Sequence, residues 1–462
     1  MNAYPKRWQA LGYLTAGAFL SPLDYFIVNM ALPSIQKAFN ASDHQLQMVV
    51  AIYGLTYAAL VVCGGRLGDL YGRKKVFVLG LYIFLFASLA CAFSPNITFL
   101  IISRLFQGVG ASFLAPQVLA SIRILFKTGE QAKAVSIFSS VFGLASVAGQ
   151  LLGGFLLNLH GTGFTWELVF LVNVPVTLIC IIGIHFTMDN NREEKGQKID
   201  FIGALMLICS LLMLICSIIF GRKYHWAWWI FAGLFTGLLL LVVFYRYEVK
   251  SMREDKAVLI DPTLLANQSF VLSLFIIFFY NFTSGLFICY PYYLQQFLGW
   301  DPVKTGLAII SYGIAFFIGP QLVPRIKFPA HNVIYIGLGL LILGFFLTSI
   351  FIYFQEKPSA GTDISLFLAG LGHGIIMPVI MREAIVLIGK EKAGQASGLI
   401  SISIQIGSVT GGTLIGTLFF STIEFLGFPA AFALAVLMIA IIQIGGIFIN
   451  KKLRKYNQSY EE

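Results

Sequence analysis

Charge is scarce in this chain. Lys and Arg number 31 and Asp and Glu 21, so 11% of the 462 residues are charged while 58% are hydrophobic and the mean hydropathy is +0.83. Such a composition cannot build a water-facing surface, which excludes soluble enzymes, nucleic-acid binders and secreted scaffolds. Cysteine is sparse too: Cys63, Cys91, Cys180, Cys209, Cys216 and Cys289 all fall in apolar runs and form no Cys-x-x-Cys pair. They read as small core residues, neither bridges nor zinc ligands. A His-Glu-x-x-His pair, a Gly-x-x-x-x-Gly-Lys loop and paired intramembrane aspartates are missing as well, leaving a membrane-embedded enzyme without support. No cofactor and no metal are expected. His44, His160 and His225 fall between apolar runs, but without ligand spacing they read as solvated side chains.

What the chain has is long apolar runs. At about 20 residues per helical crossing, they predict an all-α polytopic membrane protein; a β-barrel would show weak alternation instead. Fourteen spans are expected: six over 9–32, 46–65, 76–94, 97–120, 134–158 and 168–187, then two over 201–220 and 227–245. Six more lie over 269–294, 303–323, 332–354, 364–388, 394–420 and 429–449. The first run contains Pro22 and Asp24 and has no small-x-small cleavage site, so it is expected to be retained and is not read as a signal peptide. With the N-terminus inside, the outer loops carry only Lys37, Arg222, Lys223, Lys304 and Lys357, and Arg104 and Arg382 lie within spans. All other Lys and Arg then face the cytoplasm, which predicts a cell-membrane protein with both termini cytoplasmic. The Lys451, Lys452, Arg454, Lys455 tail fits as a solvated stop signal attracted to anionic lipid.

The chain also repeats. Gly149, Gly153 and Gly154 recur as Gly407, Gly411 and Gly412 at one constant offset, and a nearly equal offset carries Gly65 to Gly319. This predicts two related six-helix bundles, 1–190 and 251–462, with an inserted helix pair at 199–250. Parallel repeats of this kind are a transporter architecture with the substrate route between the halves.

Three segments carry chemistry. After the second span runs Gly65, Arg66, Leu67, Gly68, Asp69, Leu70, Tyr71, Gly72, Arg73, Lys74. Its glycines allow a tight turn and close helix approach, and Asp69 can hold a cation or a helix N-terminus. That is a latch; a plain positive-inside anchor explains the cations but not the Gly and Asp spacing. Arg104, Gln107, Gly108 and Gly110 lie deep in the fourth span, where a guanidinium costs about 2.5–3.5 kcal/mol unless compensated. In the first span Asp24 is costly to ionise in hydrocarbon, which suits a group that exchanges a proton during transport. A static pair between Asp24 and Arg104 is the alternative reading.

These segments resemble those of the major facilitator superfamily. The loop matches the signature G-x-L-[AG]-D-x-x-G-[RK]-[RK] at Gly65, Leu67, Gly68, Asp69, Gly72, Arg73 and Lys74. Leu23, Asp24, Ile27, Val28, Asn29, Ala31, Leu32 and Pro33 are similar to the L-D-x-T-I-V-N-V-A-L-P segment of its fourteen-span drug:proton antiporter branch, with Phe26 and Met30 departing. In the fifth span Gln150 stands where the branch's G-P-x-x-G-G motif has proline, and Glu167 replaces an Arg before Phe170, Asn173 and Pro175. Tyr290, Pro291, Tyr292, Tyr293, Leu294, Gln295, Gln296, Leu298 and Gly299 resemble the branch's P-x-Y-x-Q-x-x-L-G segment. The resemblance implies a cytoplasmic gate at Gly65, Asp69, Gly72, Arg73, Gly149, Gly153 and Gly154, and proton coupling through Asp24 and Arg104. Glu383 is either a second proton site or the partner of Arg382, the pairing being favoured. His373 reads as a core histidine bonded to a carbonyl.

Aromatics make up 15% of the residues, including 43 Phe and 19 Tyr. Most must face lipid or its interfaces. A minority on spans with polar neighbours, namely Tyr25, Phe26, Asn29, Tyr53, Tyr57, Gln107, Tyr280, Asn281, Phe287 and Tyr290, are expected to line a cargo route by stacking and cation–π attraction. The expected function is efflux of amphipathic aromatic drugs (quinolone-like compounds, dyes and cations) in exchange for protons, by a monomer with no nucleic-acid partner. Proton-driven uptake of a small metabolite is the alternative.

Overall fold

The computed structural model describes residues 6–157, 159, 166–189, 200–224, 226–386, 388 and 392–458. Every regular element among them is helical. His160 and His225, and the side chain of His44, lie outside this description.

The N-terminal helices are α1 (Arg7–Phe39), α2 (Asp43–Tyr71), α3 (Arg73–Ala92), α4 (Ile97–Ser112), α5 (Ala115–Leu125), α6 (Thr128–Leu157), α7 (Leu168–Leu171) and α8 (Asn173–Thr187). Two further helices follow, α9 (Phe201–Lys223) and α10 (Trp228–Arg253), and then α11 (Pro262–Ala266), α12 (Gln268–Tyr280) and α13 (Ser284–Tyr292). The chain continues as α14 (Pro302–Ala308), α15 (Ile310–Leu322), α16 (Ala330–Gln355), α17 (Ala360–Val386) and α18 (Ala393–Gln458).

Local chemistry sets the ends. Asn40 at φ 49° closes α1, and Ser42 with Gln45 forms a capping box on α2, satisfying otherwise orphaned amides. Asn96, Asp261, Asn267 and Asp301 cap α4, α11, α12 and α14 in the same way. Between α2 and α3 the chain turns on a single residue, Gly72 at φ 97°, whose N–H donates to Gly68 O at 3.0 Å.

Twelve helical segments among the described residues are long and apolar enough to cross a membrane. Two places account for the difference from the fourteen expected spans, and only the first is a departure. The segment expected at 303–323 is broken at Ile309 into α14 and α15, neither of which is long enough alone. The spans expected at 394–420 and 429–449 run together as α18, interrupted by non-helical Gly427 at φ 75° just before Pro429. The fourth span is also jointed, at Phe113 and Leu114 between α4 and α5. In contrast α6 is unbroken through Gln150, as expected where glutamine replaces a helix-breaking proline.

Close packing follows the glycines. Cβ atoms at Gly149 and Gly153 would lie 2.5 Å from Phe26 Cβ and 3.0 Å from Met30 Cβ of α1. At the repeated positions, Cβ atoms at Gly407 and Gly411 would lie 2.4 Å from Phe278 O and 2.4 Å from Phe282 Cα. The sequence repeat is therefore a repeat of one helix contact. The early and late helices meet along α6 with α15, where Gly143 lies against the backbone of Phe316 and Phe317, and along α2 with α18, where Gly398 lies against Val62. The α9–α10 hairpin packs through α9 on α2 and α18. Only 17% of the α10 crossing is buried, so its apolar sides are left for lipid.

Candidate functional site

The α1, α2, α3, α4 and α8 helices converge on Asp24, which is fully buried. Arg104 Nη1 of α4 donates to Asp24 Oδ2, while Gln107 Nε2 and Asn173 Nδ2 donate to Oδ1 at 2.8 and 3.1 Å. The guanidinium has its own supports. Its Nε donates to Val49 O at 3.0 Å, its Nη1 also reaches Gln107 Oε1 at 2.7 Å, and its carbon sits 4.3 Å from the Tyr53 ring centroid. Tyr53 is held in turn by Ser21, and Gln107 donates to Ser88 Oγ at 3.0 Å. Helical spacing explains the convergence: Arg104 and Gln107 are three residues apart and share one face of α4.

The pair with Arg104, the alternative reading of Asp24, is thus present, with both side chains shut off from solvent. Sequence reasoning gave Asn173 no role and passed over Ser88. The available signal was a lone amide side chain inside an apolar run, which must find polar company when buried.

The turn at Gly72 brings Asp69 and Arg73 together, Arg73 Nη2 donating to Asp69 Oδ1 at 3.0 Å with both side chains nearly inaccessible. Gly65 is buried nearby. Gln117 of α5 donates to Gly64 O at 2.7 Å and fills the space beside Gly68, where an added Cβ would lie 2.0 Å from its Oε1. Lys74 Nζ bonds His185 O and Met188 O at the end of α8, at 3.0 and 2.5 Å. At this same end Arg123 Nη2 donates to Ile388 O at 2.5 Å and Ser397 Oγ to Pro116 O at 3.1 Å, tying α5 to the segment between α17 and α18 and to the first turns of α18. Sequence reading missed Gln117 and Arg123.

The aromatic set divides. Tyr53 and Gln107 belong to the Asp24 cluster. Phe26 contacts both Tyr25 and Phe287, at centroid distances of 5.5 and 5.1 Å, bringing α1 against α13. Phe287 continues to Tyr312 at 5.6 Å. Asn29 Nδ2 donates to Tyr25 O one turn back, and Tyr57 is half-buried on α2. Tyr280 donates to His373 O at 2.9 Å, and Ser408 Oγ reaches Asn281 Oδ1 at 3.5 Å. Tyr290 stacks on Phe432 at 5.2 Å within the later helices.

His373 is not bonded to a carbonyl through its ring. Its Nδ1 hydrogen-bonds Tyr312 Oη, with the ring stacked 4.2 Å from Phe316. Arg382 is exposed and Glu383 half-buried, and no ion pair joins them among the described residues. Successive residues on a helix point in different directions, which the expected pairing overlooked.

The profile of the Major Facilitator Superfamily matches residues 14–204 and 199–412 of this chain. The probable actinorhodin transporter of Streptomyces coelicolor is 31% identical over 425 residues, covering 90% of this chain and 73% of that protein. The puromycin resistance protein pur8 of Streptomyces alboniger is 30% identical, covering 89% and 82%. The multidrug transporter protein MdtP of Bacillus subtilis is 30% identical, covering 89% and 75%. Among solved structures, the proton:xylose symporter XylE superposes with TM-score 0.69 at 12% identity, covering 98% of this chain and 96% of that one. The human organic anion transporter MFSD10 gives 0.67 at 13%, covering 96% and 99%. At these identities the structures bear on the fold.

Proposed function

The chain belongs to the Major Facilitator Superfamily, and on that premise we propose that it exports amphipathic aromatic drugs in exchange for protons. Relatives named for multidrug or antibiotic transport support the cargo class. The observation that carries the coupling is the Asp24–Arg104 pair, from which solvent is excluded on both partners.

An ionised Asp24 locks α1 to α4 and α8 through Arg104, Gln107 and Asn173. Adding a proton removes the charge that compensates a buried guanidinium, which must then lean on Val49 O, Gln107 Oε1 and the Tyr53 ring. The two protonation states therefore favour different packings of α1. Because Phe26 extends from the same helix to Phe287, with Tyr25 packed against it, cargo and proton act on one element. Each proton moving down the potential supplies about 2.3 kcal/mol per 100 mV.

In this reading the chain makes fourteen crossings, with α14 and α15 as one jointed span and α18 as two. Residues 1–190 and 251–462 form the rocking bundles of a monomer, α9 and α10 are inserted between them, and both termini are cytoplasmic. The Gly72 turn is then the cytoplasmic gate, with Gly149, Gly153 and Gly154 as its sliding contact and Glu383 as a second proton site. Movement of a cationic dye into everted vesicles, whose lumen corresponds to the cell exterior, and across the membrane of proteoliposomes, with and without an uncoupler, tests the reading. Uncoupler-sensitive export supports it, whereas accumulation in the import direction identifies the uptake symporter instead.

A further inference from the structure

The inserted hairpin carries a pair of acidic side chains that the transport cycle above does not use. Asp200 precedes α9 and Glu248 lies in the last turns of α10; both are more than nine-tenths buried. Asp200 Oδ1 accepts from Gly203 N at 2.9 Å and Tyr247 Oη at 3.2 Å. Glu248 accepts from Leu259 N, at 3.0 Å to Oε2 and 3.3 Å to Oε1. The remaining oxygen, Asp200 Oδ2, has no donor among the described residues. It faces Glu248 Oε1 across Gly203: a Cβ on that glycine would lie 2.4 Å from Glu248 Oε1 and 2.5 Å from Asp200 Oδ2.

Two acceptors cannot bond each other unless one holds a proton, and two adjacent buried carboxylates do not both ionise readily. Among the described residues, the surrounding charges are engaged elsewhere or exposed. Lys256 holds Glu254 at 2.6 Å, Lys250 lies 3.9 Å from Glu254, and Asp261 is held by Lys392 at 2.5 Å. Arg246, Lys250 and Arg253 of α10 are exposed, as is Asp255. The helices packed on α9 bring Arg66 and Asp69 from α2 and Lys451, Lys452, Arg454 and Lys455 from α18. Among the described ion pairs, none joins a cation to Asp200 or Glu248.

We propose that Asp200 and Glu248 form a proton-binding site, one proton shared between Asp200 Oδ2 and Glu248 Oε1, which clamps the linker at Leu259 to the foot of the inserted hairpin. The clamped linker, just before α11, is bonded to the start of α18. Two residues on, Asp261 N donates to Gln395 Oε1 at 2.7 Å, while Lys392 binds Asp261 and donates to Thr263 Oγ1 at 2.7 Å. Ser397 and Gly398, one turn later, contact Pro116 and Val62. The hairpin is thus a proton-sensitive tether on the segment that meets the early helices. Loss of the shared proton sets two like charges face to face and releases Leu259. This assignment stands on the Asp200–Glu248 geometry and holds whatever the cargo.

The test is hydrogen exchange at the amides of Leu259 and Ile260 in the full chain in nanodiscs, from about pH 6 to about pH 9, corrected for intrinsic exchange. Wild-type protection at Leu259 should fall at least about tenfold with rising pH, while Glu248→Gln, whose carboxamide accepts from Leu259 and donates to Asp200, stays flat. Glu248→Ala should lose protection throughout. A protonated-carboxyl stretch in the infrared spectrum, present in wild type near neutral pH and gone in Glu248→Gln and Asp200→Asn, gives a readout that does not depend on the alanine variant folding. A wild-type profile parallel to that of Glu248→Gln, or absence of the band, overturns the proposal. So does protection that follows sodium when sodium replaces choline, because the bound ion would then be a metal cation.

Discussion

Asp24 and Arg104 lie 80 positions apart in the chain and meet as an ion pair with no solvent exposure on either side chain. The pair does not stand alone. Gln107 bonds both members, Asn173 bonds the carboxylate, and Val49 and Tyr53 hold the guanidinium. Because each partner answers the other's desolvation, removing one exposes the full cost of the other.

Arg104→Ala should therefore destabilise the protein by about 3–5 kcal/mol, since it strands a buried carboxylate. Arg104→Lys keeps the charge but loses the planar fork that serves Asp24, Gln107 and Val49 together, so it should recover only part of the loss. Thermal unfolding of the purified variants in detergent checks both. Equal stability of Arg104→Ala and wild type would show that the pair contributes nothing.

Gly149→Ala and Gly407→Ala should each cost about 1–3 kcal/mol and slow transport, because the new methyl meets another helix at 2.5 and 2.4 Å. Gly12→Ala is the control. Nothing lies within 4 Å of its Cβ position, so the gain in helix propensity should make it neutral or stabilising. The measurement is melting temperature alongside initial rates of dye efflux in matched vesicles.

Gly72→Ala forces a side chain into φ 97°, ψ 132° at a one-residue hinge between two long helices. About 1–3 kcal/mol of backbone strain is expected, relieved by shifting α3 and with it Arg73 away from Asp69. Efflux should fall more than in Asp69→Asn, which keeps the backbone and loses only the charge. Similar activities for the two variants would place the function of the turn in its charges.

Outside the spans, Asp261 tests a pH effect. Burial pushes its carboxyl up, but hydrogen bonds from Lys392 and Thr263 and the charge of Lys392 outweigh it, holding the group below its ordinary 3.8. A depressed folded value means the contribution is complete above 3.8 and is lost as pH falls through the folded value. Proteolysis of the linker should rise in wild type at such acidity and not at neutral pH, while Asp261→Asn is cut at both. A protease indifferent to acidity in the pH range should find wild type equally resistant only if the pair is inconsequential.

Much of the fold was legible because burial in lipid leaves few choices: a run of twenty apolar residues is a helix, and Gly149 and Gly407 repeat where helices touch. The break at Ile309 was less legible, since apolar composition continues across it, whereas Gly427 falls in the gap expected between 394–420 and 429–449. Asp24 and Arg104 stood out as charges in hydrocarbon. Asn173 and Ser88 did not, because neutral polar residues are common in spans and only the assembled neighbours reveal their bonds. Asp200 and Glu248 were hidden for another reason: each sits where a span meets water, and an acidic residue there looks solvated until the linker folds over it.

The central claim is that Asp24 carries the coupled proton. The most direct measurement is the proton movement evoked by an amphipathic cationic dye in proteoliposomes, read with an internal pH indicator, for wild type and Asp24→Asn. Wild type should move protons with dye, and Asp24→Asn should bind dye while its dye-evoked proton movement falls at least about tenfold. Dye binding with undiminished proton movement in Asp24→Asn would contradict the account.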